Sequence, residues 1–120
     1  MTSVTKNLSI LGSTGSIGTN TLNIIKYMPQ DFCLCGVQAH SNKDKLLEIA
    51  EKAKCPYLLT SEDNSQQAFE KLIEKSKPDI VVNGISGAAG LLPSKIVLEK
   101  GINLALANKE TIVIAGDLIK

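Results

Sequence analysis

Three glycines, Gly12, Gly15 and Gly18, recur at every third position of the stretch GSTGSIG, with Thr14 and Ser16 among them. Residues of these types at this spacing can hold a pyrophosphate. Gly12 permits a tight turn out of a strand. Gly15 lets the backbone approach the phosphates with no Cβ in the way, and Gly18 lets the following helix pack close to the strand. The amides of that helix's first turn would face the phosphates, aided by the helix dipole, and Thr14 and Ser16 would add hydroxyl donors. The spacing is G-x-x-G-x-x-G rather than the commoner G-x-G-x-x-G. No G-x-x-x-x-G-K-[ST] occurs, which excludes a nucleoside-triphosphate P-loop.

A dinucleotide site of this kind is read again at the end of the second strand, where an acidic residue selects the free ribose 2′-hydroxyl. The stretch here is QAHSNKDK, Gln38 to Lys45, and its first positions after the strand are His40, Ser41 and Asn42. None is acidic. Imidazole, hydroxyl and amide groups, and the ammoniums of Lys43 and Lys45, can all donate to a 2′-phosphate, whereas a carboxylate would repel it. The stretch favours NADP over NAD. Asn42 is equally placed to be the N-cap of the next helix.

Two further stretches carry chemistry. NGISGAAGLLP, from Asn83 to Pro93, repeats the three-residue glycine spacing at Gly84, Gly87 and Gly90. ALANKETIVIAG, from Ala105 to Gly116, places Asn108, Lys109 and Glu110 just past another strand. Lys109 could hold a phosphate, and Asn108 and Glu110 could take the nicotinamide ribose. A polar helix start with Glu110 favoured by the dipole would look the same.

Positioning these groups requires alternating strands and helices. Short apolar runs predict strands at 8–11, 32–39, 57–59, 80–82 and 103–107. Helical spacing predicts helices over 17–28, 42–53, 64–75 and 93–100, with Pro29, Lys77-Pro78 and Gly101 as stops. Residues 111–115 are apolar and fit either type. Strands separated by helices pair in parallel through right-handed crossovers, and their apolar character implies cover on both faces. The expected fold is α/β, a doubly wound parallel sheet forming one Rossmann-like dinucleotide-binding domain over 1–120.

Composition bounds the alternatives. A 120-residue chain supports one core but not a second domain of ordinary size. The 13 lysines are nearly balanced by 12 Asp and Glu, and no Arg occurs. With aromatics at 3%, this gives no electrostatic footprint and no stacking platform for nucleic acid. No apolar stretch approaches the roughly 20 residues of a membrane span, and Met1 to Asn7 lacks the apolar core of a signal peptide. Cys33, Cys35 and Cys55 read as buried, reduced thiols, and His40 is the sole histidine, so no metal-ligand cluster is expected. These readings point to the cytoplasm.

Taken together, LGSTGSIG, NGISGAAGLLP and ALANKETIVIAG resemble the N-terminal region of the 1-deoxy-D-xylulose 5-phosphate reductoisomerase family, over most of the chain from Leu8. The resemblance implies an enzyme that rearranges 1-deoxy-D-xylulose 5-phosphate and reduces it with NADPH. The product is 2-C-methyl-D-erythritol 4-phosphate, in the non-mevalonate isoprenoid pathway. It implies that Thr14, Gly15, Ser16 and Ile17 meet the NADPH phosphates, that Ser41 and Asn42 lie at the 2′-phosphate end, that Asn108 and Glu110 contact the cofactor, and that Lys109 contacts the sugar-phosphate substrate. Many members carry Gly and then Lys or Arg before that Asn, where this chain has His40 and Ser41; Lys43 is the nearest replacement cation.

Members of the family are longer. Their divalent metal, Mg or Mn, is held by an Asp-Ser-Glu stretch beyond the matched region, so the resemblance assigns no metal ligand and no catalytic residue to these positions. It implies a homodimer for the full-length enzyme and no turnover by the 120-residue piece alone. Two rivals differ in class. A dehydrogenase of the aspartate-semialdehyde type shares the glycine spacing but needs a nucleophilic Cys farther along, and none follows Cys55. A non-catalytic nucleotide-binding module would need only the glycine turn.

Overall fold

The computed structural model describes residues 5–107 and 112–115, with side chains through 105. The element order is β1 (Lys6–Leu11), α1 (Ser16–Tyr27), β2 (Phe32–Ala39), α2 (Lys43–Ala53), β3 (Tyr57–Leu59), α3 (Gln66–Ser76), β4 (Ile80–Asn83), a 3-10 turn (Gly87–Gly90), α4 (Leu91–Glu99), β5 (Asn103–Ala107) and β6 (Ile112–Ala115). The sheet runs β3-β2-β1-β4-β5-β6. Strands β1 to β5 pair in parallel, as the alternation of elements predicts. The stretch the sequence left open is β6, which joins β5 antiparallel. Four residues separate the two, and so short a link allows a reversal but no crossover, which takes a dozen or more.

Side-chain alternation along the strands gives each face its own core. On one face, Val37, Ala39 and Leu59 meet Leu46 and Ala50 of α2. On the other, Leu11, Val81 and Leu104 meet Leu72 and Ile73 of α3 and Val97 of α4. The chain changes face between β3 and β4, crossing over β2 and β1. That crossing leaves the carboxyl ends of β1 and β4 side by side at a topological switch point, the place where such sheets bind ligands.

Two helices end as the sequence requires of short amphipathic elements. Asn42 caps α2, its Oδ1 accepting from the Lys45 amide at 3.4 Å, and Ser65 caps α3 through the Ala68 amide at 3.2 Å. Helix α1 buries small residues rather than an apolar stripe. Only Gly18 and Thr21 of α1 are buried, while Ile24 is 47% exposed. Small residues face the sheet because the helix starts hard against the β1 turn. The displaced Leu22 and Ile25 line a groove of about 350 Å³ shared with Leu34 and Ile49.

The three cysteines are free, but none is fully buried, where the sequence predicts buried thiols: Cys33 is exposed at the start of edge-proximal β2, and the other two are partly buried. Burial pushes the Cys55 thiol up to about 11 and raises that of Cys35. A thiol that holds its proton more tightly when folded stabilises the protein fully below its ordinary value of 9.0, and that contribution is lost as pH rises towards 11. Thermal midpoints should therefore fall more steeply between about pH 8 and about pH 10.5 in the unaltered protein than in Cys55→Ala. Equal slopes would contradict this.

Candidate functional site

The glycine turn after β1 is held by backbone and by β2. Gly12 has φ +74°, in the left-handed region, and the Gly15 amide donates back to its carbonyl at 3.1 Å. Gln38, buried at the end of β2, grips the turn from the other side. Its Oε1 accepts from the Gly12 amide at 2.8 Å, and its carbonyl accepts from the Ser13 amide at 2.8 Å and the Ser13 hydroxyl at 3.0 Å. Gly12 also lies against the β4 loop, where a Cβ would come 3.0 Å from the Gly84 carbonyl group.

Gly18 and Gly15 are glycines for different reasons. A Cβ on Gly18 would stand 2.4 Å from the Gly12 oxygen and 2.5 Å from Ser13 Cα, so the helix can start here only without one. Gly15 has φ −81° and ψ 179°, which any residue adopts. A Cβ there would meet only the Gly12 oxygen, at an ordinary 3.5 Å. Neither backbone conformation nor internal packing requires glycine at 15. The side chain it lacks would occupy open space above the first turn of α1, and no side chain caps that turn. Ser16 is exposed and Ile17 half-buried on the same turn.

The second glycine stretch forms the facing wall. Asn83 is 2% exposed and organises it. Its Nδ2 donates to the Gly90 carbonyl at 2.9 Å and to Ser94 Oγ at 2.8 Å, and its Oδ1 accepts from the Ile85 amide at 3.0 Å. Asn83→Ala would leave those groups without their partner and should cost about 3 kcal/mol of folding stability, read from urea denaturation. An unchanged midpoint would contradict this account of the loop.

Between the walls lies a cavity of about 450 Å³. Thr14 and Gly15 line it from the β1 turn, Gln38 and His40 from β2, Thr60 from the end of β3, and Ile85 from the β4 loop. The structure thus brings Thr14 and Gly15 together with His40. Ser41 and Asn42 sit outside this lining, exposed at the start of α2, where the Ser41 carbonyl accepts from the Lys43 amide at 2.9 Å. Lys43 is paired with Glu62 at 3.3 Å. Asn108, Lys109 and Glu110 lie outside the described residues. Gln38, Thr60 and Asn83 were not singled out from sequence as site residues, although a polar residue ending an apolar strand, as in FCLCGVQA and IVVN, is a readable signal.

Among the described residues no three His, Cys, Asp or Glu side chains gather where they could hold a metal ion. No described helix is long and apolar enough to cross a membrane.

The family model described as 1-deoxy-D-xylulose 5-phosphate reductoisomerase matches residues 8–78 and 64–116. The reductoisomerase of that name from Treponema denticola is 48% identical over 123 residues, covering 95% of this chain and 32% of its own length. A crystal structure of DOX-P reductoisomerase with magnesium superimposes with a TM-score of 0.75 at 27% identity, covering 89% of this chain and 32% of that one. Another, with NADPH, fosmidomycin and magnesium, gives 0.73 at 28% identity, covering 88% and 30%. The chain spans about a third of the length of the curated relatives it matches.

Proposed function

Because the chain belongs to the 1-deoxy-D-xylulose 5-phosphate reductoisomerase family, we propose that it is the NADPH-binding part of an enzyme of that activity. The complete protein rearranges 1-deoxy-D-xylulose 5-phosphate and reduces it to 2-C-methyl-D-erythritol 4-phosphate, in non-mevalonate isoprenoid synthesis. The observation that carries the cofactor role is Gly15, a glycine that neither the fold nor the packing asks for, beneath an uncapped helix start. A dinucleotide pyrophosphate fits that space and those amides.

In this reading the amides of Ser16 and Ile17 hold the pyrophosphate, with Gly15 leaving room and Thr14 and Ser16 adding hydroxyls. Ser41 and Asn42 stand at the 2′-phosphate end. Asn108 and Glu110 contact the cofactor, and Lys109 holds the sugar phosphate. When bound, NADPH supplies the hydride. A related structure contains NADPH and magnesium together. The divalent metal, Mg or Mn, is held by the rest of the enzyme in this reading. The complete enzyme is a cytoplasmic homodimer in this reading.

Absorbance of NADPH in the complete polypeptide tests the reading. Oxidation should require both 1-deoxy-D-xylulose 5-phosphate and the metal. NADPH that stays reduced with both present would overturn it.

A further inference from the structure

Helix α1 is not built to face water. Its twelve residues, SIGTNTLNIIKY, carry one charge, Lys26, whereas the eleven of α2 carry six. Small Gly18 and Thr21 take the sheet side, so the large apolar residues of α1 lie elsewhere. Leu22 and Ile25 line a groove of about 350 Å³ towards α2, floored by Leu34 of β2 and walled by Ile49. All four are half-buried. The apolar surface continues over the outer side of the helix, where Ile24 is 47% and Tyr27 88% exposed. A contiguous apolar surface rimmed by polar residues marks a contact site.

We infer that the groove between α1 and α2 is a docking site for an amphipathic helix from the part of the complete polypeptide outside these 120 residues. That helix sets its apolar side on Leu22, Ile25, Leu34 and Ile49 and carries carboxylates along its flanks. The inference uses none of the residues assigned to the cofactor.

The chemistry of the rim selects the occupant. Lys26 stands on the α1 side, and Lys45 and Lys52 on the α2 side. The one carboxylate among them, Glu48, is 3.8 Å from Lys52. Among the described residues Lys26 and Lys45 make no ion pair. An occupant with acidic flanks complements that rim, and one with basic flanks is repelled. The floor is aliphatic, and no polar side chain lining the groove is buried. A small-molecule pocket orients its ligand through a few fixed polar groups, which this groove does not offer. A helix laid in a groove needs only apolar anchors about one turn apart.

Two quantities place the occupant on the same polypeptide. The chain spans 32% of the Treponema denticola relative, so most of a polypeptide of that length lies outside it. Six apolar side chains also fall short of the roughly 20 residues a side that hold two separate chains together. A tethered segment needs less, because its effective concentration is already high.

The test places the photo-crosslinker benzoylphenylalanine in the complete polypeptide at Asn23, exposed on the α1 rim, and in a second variant at Lys45, exposed on the α2 rim. After irradiation and digestion, both variants should yield a peptide joined to the same segment outside residues 1–120, in a product of single-chain mass. Cross-links that double the mass would assign the groove to a second copy and overturn the inference. Cross-links confined to residues 1–120, or none at either position, would overturn it too. None of these results bears on NADPH oxidation, which tests the cofactor reading separately.

Discussion

Gly15→Val should weaken NADPH binding by roughly 100-fold or more, about 3 kcal/mol, while the protein stays folded. The two halves of that expectation come from one geometry. The added carbons enter open space, since a Cβ at this position has a single neighbour, the Gly12 oxygen at 3.5 Å. The backbone at φ −81° accepts valine without strain. Folding therefore changes by less than about 1 kcal/mol. The same space is where a pyrophosphate would lie against the amides of α1, so the side chain and the ligand exclude each other. Calorimetric titration with NADPH, beside a thermal melt of the same sample, separates the two effects. A variant that binds normally would show that Gly15 is not a ligand-facing glycine.

Gly18→Ala should do the reverse. A Cβ there would lie 2.4, 2.5 and 2.7 Å from three backbone atoms of Gly12 and Ser13. None is the end of a flexible side chain, so relief must come from moving α1 away from β1 or distorting the turn. The turn resists, because Gln38 holds Gly12 and Ser13 through three hydrogen bonds. We expect a loss of about 3 kcal/mol or more, above the usual range for one added methyl group in a tolerant core. The thermal midpoint should fall by roughly 10 °C or more. Any loss of NADPH affinity in this variant should follow the loss of folded protein. A melt within about 2 °C of the unaltered protein would contradict the close-packing role.

The glycine triplet was legible because each glycine answers a separate local demand, and the residues between them are small and polar. The strands were legible because those buried on both faces are short continuous apolar runs. Asn42 was readable as an N-cap, and the structure places it as one. What sequence could not give was pairing across the sheet. Gln38 reaches Gly12, 26 positions away, only because β1 and β2 lie side by side with Leu11 opposite Gln38. Thr60 meets His40 only because β3 pairs with β2. The direction of β6 was hidden for the same reason, since a short apolar run carries no mark of parallel or antiparallel pairing. The buried face of α1 does not follow from apolar spacing alone. Its Ile24 and Met28 recur at helical intervals, yet the sheet-facing positions are the small Gly18 and Thr21.

On the proposed function, the turn from Gly12 to Gly18 holds the pyrophosphate of NADPH. The decisive experiment is a crystal structure of the complete polypeptide grown with NADPH. Pyrophosphate oxygens should lie at hydrogen-bond distance, about 2.9 Å, from the amides of Ser16 and Ile17 and directly above Gly15. A dinucleotide seated elsewhere, for instance in the groove between α1 and α2 lined by Leu22 and Ile49, would contradict it.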